Sequence, residues 1–293
     1  MPGTTLRAHR PFALVLGGGG ARGFAHLGIL RALEHYGYRP CLIVGVSMGA
    51  LVGATYAHRD DWYEAVLDME LGDFPGPVES RGGGGHRVVR AVLKTLATLR
   101  LLWAVFRDWG PGARAREAGL RELRRLVGHG SLDRGRIPVV VTATDLRSGD
   151  RVVLRTVPSD DAVYASAALA GVLPPLELGQ LLLADGAYTD LAPVDVARGL
   201  ESATVIAVDA GRLDQAGEIS NGFQALVRAV DICHRQHAHA RLAAADLVLR
   251  PTFHRSIDTL EFSARRECVA AGLRNVRAER ESIRALLQLR DES

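Results

Sequence analysis

The sequence predicts an α/β fold in which a mostly parallel sheet is covered by helices on both faces. Three observations carry this reading. Short apolar runs at 12–16, 42–46, 137–143, 181–184, 205–208 and 247–249 alternate with longer stretches of helical spacing. These runs lack polar alternation, as expected of strands buried on both faces. The first two empty into glycine-bearing turns, Gly17-Gly18-Gly19-Gly20 and Gly45-Val46-Ser47-Met48-Gly49. With 293 residues, 47% hydrophobic and 24% charged, the chain has length and apolar content for a full core. We expect one domain over 1–293, with core motifs in 12–210, an insertion at about 72–136 and a helical part at about 211–293.

The elements follow in order. Strand 12–16 leads through the glycines into a helix over about 22–36, with Leu27, Leu30 and Leu33 inward and Gly37 as its stop. Strand 42–46 delivers Ser47. The next helix starts Met48-Gly49-Ala50, its small residues permitting close packing on the sheet. A helix over about 60–70 starts at Asp60 or Asp61, and 72–86 is a glycine- and proline-rich loop. Over 87–107, Val88, Val92, Leu96, Leu99, Trp103 and Phe106 share one helical face, with Arg87, Arg90 and Lys94 opposite. That pattern suits an interfacial lid or a helix packed apolar side down. A charged helix spans about 115–128. Strand 137–143 turns at Ser148-Gly149-Asp150 into a hairpin over 151–154, and a helix over about 160–169 precedes Pro174-Pro175. Strand 181–184 delivers Asp185-Gly186-Ala187. Long helices fill about 221–244 and 262–289.

The chemistry concentrates at the two turns. Gly17 to Gly23 exposes backbone N–H groups at the positive end of a helix, a site for a phosphate or an oxyanion. Gly18-x-Gly20-x-x-Gly23 also fits a dinucleotide fingerprint, but that fold needs a carboxylate near the end of the second strand, and 43–47 holds none. Ser47, at a strand-to-helix elbow flanked by Gly45 and Gly49, has the context of a nucleophile. Gly18, Gly19 and Gly20 would then supply oxyanion donors. Asp185, after a buried strand, is placed at the sheet edge to take the serine proton or orient a histidine. His26 reads as packing and Cys41 as core. His234, His237 and His239 have no partner cluster, so we expect no metal and no cofactor.

Together the residues carry a family resemblance. The run from Leu16 to Gly23, the helical His26-Leu27-Gly28, Gly45-Val46-Ser47-Met48-Gly49-Ala50 and Asp185-Gly186-Ala187 resemble the three signatures of the patatin-like phospholipases. The short bacterial members, related to the esterase region of neuropathy target esterase, are the most similar in pattern. Ala143 to Leu146, Ala165 to Ala168 and Pro174-Pro175 resemble intervening family segments. The resemblance implies an α/β/α sandwich and metal-free hydrolysis of lipid acyl esters by a Ser–Asp dyad. Ser47 would be the nucleophile, Asp185 the base, and the loop through Gly20 the oxyanion hole. Arg22 would hold that loop or meet a phosphate. Ala187 stands where the family more often has glycine, and Ala170 where it usually has proline.

Two other readings compete. A Ser–Asp–His triad would draw on His234 or His254, and a regulatory protein would keep the fold with little turnover. The implied partner is a lipid or lysophospholipid acyl ester. Residues 81–136 hold thirteen Lys/Arg against four Asp/Glu, which suits contact with an anionic membrane. No nucleic-acid motif is present. Three scattered cysteines, no charged-then-apolar leader and no long apolar run predict a cytoplasmic protein, peripheral at the inner membrane face, without a span.

Overall fold

Strands β1 (Ala13–Leu16), β2 (Leu42–Gly45), β3 (Val139–Asp145), β4 (Arg151–Leu154), β5 (Leu176–Leu178), β6 (Leu181–Asp185), β7 (Val205–Val208) and β8 (Leu247–Leu249) form one sheet. The computed structural model describes residues 8–69, 112–200, 204–211, 219 and 222–289. The sheet order is β5-β6-β3-β2-β1-β7-β8, with β4 paired to β3 beside that path. From β3 through β8 the pairs β3–β2, β2–β1, β1–β7 and β7–β8 are parallel, and β4, β5 and β6 add an antiparallel end.

Alternate residues of these strands point to opposite layers. Leu14, Leu16, Ile43, Val139, Val141, Ile206 and Val208 join one core with α1 (Ala25–His35), α2 (Met48–His58), α3 (Trp62–Leu67), α4 (Gly112–Val127) and α5 (Ser159–Ala167). Ala13, Val15, Leu42, Val44, Val140, Val205 and Ala207 pack with α6 (Val194–Gly199) and the end of α7 (Gly222–Leu242). The result is the expected three-layer α/β/α sandwich. Helices α8 (Arg265–Ala278) and α9 (Arg280–Leu287) close the first layer. There α1 and α8 approach to backbone contact, since a Cβ on Gly28 would stand 2.0 Å from the Val269 oxygen and one on Gly272 2.1 Å from that of Ala25.

Several boundaries differ from expectation. The first helix begins as a 3₁₀ turn, Gly20–Phe24, because the glycine loop tightens into it. The helix read over 262–289 is a 3₁₀ turn followed by α8 and α9, broken at Glu279, which lets Ile283 and Leu287 reach the core. Strand β5 and helix α6 were not expected. Cys41 is exposed, not core, although its Sγ donates to the Phe12 oxygen at 3.2 Å. The part after 210 also supplies β8, which extends the sheet. The loop at 72–86 and the amphipathic stretch at 87–107 lie outside the described residues. No helix among the described residues is long and apolar enough to cross a membrane.

One topological detail positions the site. Strand β3 pairs with β2 over Val139–Val141 and with β6 over Ala143–Asp145, while β4 occupies its other edge. Parallel β2 and antiparallel β6 therefore run toward each other along a single edge of β3. Their carboxyl ends meet, bringing together two residues 138 positions apart.

Candidate active site

Ser47 follows β2 at the elbow into α2, with φ 53° and ψ −120°. Among the described residues it is the one non-glycine with positive φ, a conformation costing about 1–3 kcal/mol that clusters at functional sites. The elbow needs small neighbours. A Cβ on Gly45 would lie 2.6 Å from the Ala50 Cα, and one on Gly49 2.0 Å from the Leu16 oxygen. The buried Ser166 hydroxyl supports the turn, accepting from the Ser47 N–H at 2.8 Å and donating to the Thr142 oxygen at 2.7 Å. The sequence reading gave Ser166 no role; only the crossing of α5 over β3 reveals it.

Asp185 closes β6. Its Oδ2 accepts the Ser47 hydroxyl at 2.8 Å, and its Oδ1 accepts the Ala187 N–H at 2.9 Å. Gly186 permits the turn, since a Cβ there would stand 2.2 Å from the Thr142 oxygen. Asp185 is buried, 5% exposed as a residue, and burial raises its pKa to about 6, against the pull of the Ala187 and Ser47 hydrogen bonds. Both carboxylate oxygens are thus engaged without a histidine.

The glycine loop lies beside Ser47. A Cβ on Gly18 would come 3.7 Å from that of Ser47, and one on Gly23 would strike the Met48 side chain. The Gly18 N–H donates to the Leu191 oxygen at 3.2 Å, whereas the Gly19 and Gly20 N–H groups meet no acceptor among the described residues. Gly20 has φ +55° and presses against Thr259. Two buried side chains hold the loop. His26 Nε2 bonds the Gly17 oxygen at 2.8 Å, and burial lowers its pKa to about 4, so the ring is neutral and donates. Arg22 reaches the Gly19 oxygen (3.4 Å), Asp231 (3.2 Å) and the Thr259 hydroxyl (3.4 Å). Of the two roles expected of Arg22, its donors take the structural one. His26, read from sequence as packing, is a loop anchor; a histidine nine residues after Gly17 was the available signal.

The His234 ring packs edge-on against Tyr188, with centroids 5.4 Å apart, and His254 is exposed. A separate group, His129, Asp160 and Asp161, brings three ligand atoms within 4.8 Å. There Asp160 already accepts from Arg124 at 2.6 Å and pairs with His129 at 2.7 Å, an ion-paired cluster that has its cation. Ser47 on Asp185 is therefore a hydroxyl held on a buried carboxylate, beside a loop whose Gly19 and Gly20 N–H groups have no acceptor among the described residues.

Known proteins are similar to this chain in sequence. A family model described as patatin-like phospholipase matches residues 14–198. An uncharacterized NTE family protein of Mycobacterium tuberculosis is 35% identical over 67% of this chain and 48% of its own length. Patatin-like phospholipase domain-containing protein 6 of Homo sapiens is 32% identical over 69% of this chain and 14% of its own. Lysophospholipase NTE1 of Cryptococcus neoformans is 28% identical over 85% of this chain and 14% of its own. The chain thus spans about half the length of the mycobacterial relative and a smaller part of the other two.

Proposed function

The chain belongs to the patatin-like phospholipase family, and from that premise we propose that it is a serine acyl hydrolase cleaving fatty-acyl esters of lipids through Ser47 and Asp185. The observation that carries the reading is the 2.8 Å hydrogen bond from the Ser47 hydroxyl to a buried carboxylate with a pKa of about 6. A base poised one unit below neutral is ionised at pH 7, yet far more basic than an exposed aspartate.

Asp185 takes the Ser47 proton as Oγ attacks the ester carbonyl. The carbonyl oxygen becomes an oxyanion, for which Gly19 and Gly20 of the loop are the donors, their N–H groups having no acceptor among the described residues, while the expected donor Gly18 is held by the Leu191 oxygen. Such donors contribute about 3–4 kcal/mol each where one has been removed. The tetrahedral intermediate collapses as Asp185 returns the proton to the departing alcohol oxygen, leaving an acyl ester on Ser47. Water then gives a proton to Asp185 and attacks the acyl carbon. Collapse expels Ser47 Oγ, which recovers the proton, and the fatty acid leaves. Arg22 and His26 hold the loop, Gly23, Gly45 and Gly49 shape the elbow, and Gly186 with Ala187 sets the Asp185 rotamer.

The relative named a lysophospholipase supports a lysophospholipid or related lipid ester as substrate. We further propose one domain over 1–293, whose basic amphipathic stretch at 87–107 contacts an anionic bilayer. The direct Ser47–Asp185 bond argues against a triad through His234 or His254.

Ester hydrolysis by variants tests the pair. Ser47→Ala should abolish turnover of a p-nitrophenyl ester. Asp185→Asn should lose a comparable factor, because groups acting as a unit fail together. No single histidine substitution should match them. A correctly folded Ser47→Ala with undiminished turnover would sink the proposal, and a histidine variant as inactive as Ser47→Ala would replace the dyad with a triad.

A further inference from the structure

We propose that Arg235 forms a subsite for the phosphate of a lipid headgroup, on the far side of the glycine loop from Ser47. The proposal rests on the hydrolase reading and assigns a residue to its headgroup preference, for lysophospholipids and phospholipids over uncharged glycerides.

The arginine expected to meet a phosphate from sequence, Arg22, has its donors directed at Gly19, Asp231 and Thr259. Arg235 is different. Its Nη2 is buried and has no hydrogen-bond acceptor among the described residues. A guanidinium nitrogen withdrawn from water without an acceptor is costly, and an anion seated against it removes that cost with a charge-assisted bond. Burial also lowers the Arg235 pKa, the direction expected where nearby carboxylates do not offset desolvation. Those carboxylates have other partners. Asp231 Oδ2 accepts from both Arg22 and Thr259, and Asp209 lies 3.8 Å from Arg250.

Placement points the same way. Asp231 and Arg235 are four residues apart on α7 and so share a face, and Asp231 is already bonded to Arg22 of the loop. Nη2 of Arg235 lies 3.7 Å from where a Cβ of Gly211 would be, and Ala210, next in the chain, packs against Gly19. From Ser47 the path runs through Gly18 to Gly19 and Gly20, whose N–H groups are uncommitted, then to Ala210, Gly211 and Arg235. The nucleophile and a guanidinium nitrogen without an acceptor thus stand in the order in which a glycerophospholipid would present its ester and its phosphate.

The test compares two substrates with the same ester. Wild-type protein, Arg235→Gln and Arg235→Lys are assayed on lysophosphatidylglycerol and on monoacylglycerol of the same acyl chain. Arg235→Gln should raise KM for lysophosphatidylglycerol about tenfold, the scale of one lost charge-assisted bond. Its kinetics on monoacylglycerol should not change, and Arg235→Lys should recover part of the loss. Equal loss on both substrates, or on neither, overturns the subsite. A second arm does not need turnover: calorimetry on Ser47→Ala with lysophosphatidylglycerol, monoacylglycerol, glycerol 3-phosphate and inorganic phosphate. Binding should be tightest for lysophosphatidylglycerol, and Arg235→Gln should erase its advantage over monoacylglycerol. Inorganic phosphate binding as tightly as the lipid would make this a free-phosphate site and overturn the headgroup assignment. Arg235-dependent binding without hydrolysis by wild type would keep the subsite and reject the hydrolase reading; hydrolysis without phosphate preference would do the reverse.

Discussion

Asp185 and His26 are both buried, and burial moves their pKa values in opposite directions, to about 6 and about 4. The consequences for stability are opposite too. Asp185 holds its proton more tightly folded than unfolded, so its contribution is present below about pH 4 and is lost as pH rises through 6. His26 takes its proton less readily when folded. Its contribution is present above about 6.5 and is lost as pH falls toward 4. Each amounts to about 3 kcal/mol over its full range, so in the wild type they largely cancel between pH 4 and 6. Asp185→Asn should remove one slope: its melting temperature should exceed that of wild type at pH 7 and fall steeply on acidification, as His26 is forced to charge. Asn can still accept the Ala187 N–H through its oxygen, and its NH2 can donate to Ser47 Oγ in place of accepting from it, so both contacts have a counterpart and the pH dependence reports ionisation. Parallel melting curves for the two proteins from pH 4 to 7 would contradict this account of Asp185.

Two glycines govern the contact between α1 and α8. Gly28 and Gly272 each face the other helix at a distance no Cβ can occupy, so the helices touch backbone to backbone. Gly28→Ala or Gly272→Ala must therefore force the helices apart, at about 1–3 kcal/mol or more for overpacking. A Cβ at either position would meet the backbone of the facing helix rather than Ser47 or Asp185, so the folded fraction should keep its ester turnover while its melting temperature drops. Unchanged melting would show that α8 is free to shift. The strand-to-helix elbow, the loop glycines and the strand ending at Asp185 were legible in the sequence because each leaves a local signature: an apolar run, then glycine. The small residues at 45 and 49 spoke for themselves. The role of Ser166 was not legible, because it depends on how layers stack; a loop-holding Arg22 was expected, but its partners Asp231 and Thr259, up to 237 residues away, were not. Strand β5, three residues beside Pro174-Pro175, is formed by pairing with β6 rather than by local preference. The break at Glu279 was hidden because helical spacing runs through it.

At the scale of the whole molecule, the layered sandwich followed from the rhythm of strands and helices, but the meeting of β2 and β6 along one edge of β3 did not. An antiparallel strand entering a parallel sheet leaves no periodic trace in sequence. The same scale holds the proposal for membrane contact. Reversing the charges at Arg87, Arg90 and Lys94 should weaken co-sedimentation with anionic vesicles, most at low salt where screening is weakest. Turnover of a short soluble ester should persist, since Ser47 and Asp185 are untouched; equal vesicle binding by both proteins would leave 87–107 as a packed helix only. The central claim is that Ser47, activated by Asp185, is the nucleophile. Covalent labelling by a fluorophosphonate, read by intact mass and peptide mapping, tests it most directly. One adduct on Ser47 is expected, absent in Ser47→Ala, with a labelling rate that rises with pH through a midpoint near 6. An adduct on another residue, or equal labelling of Ser47→Ala, would contradict it.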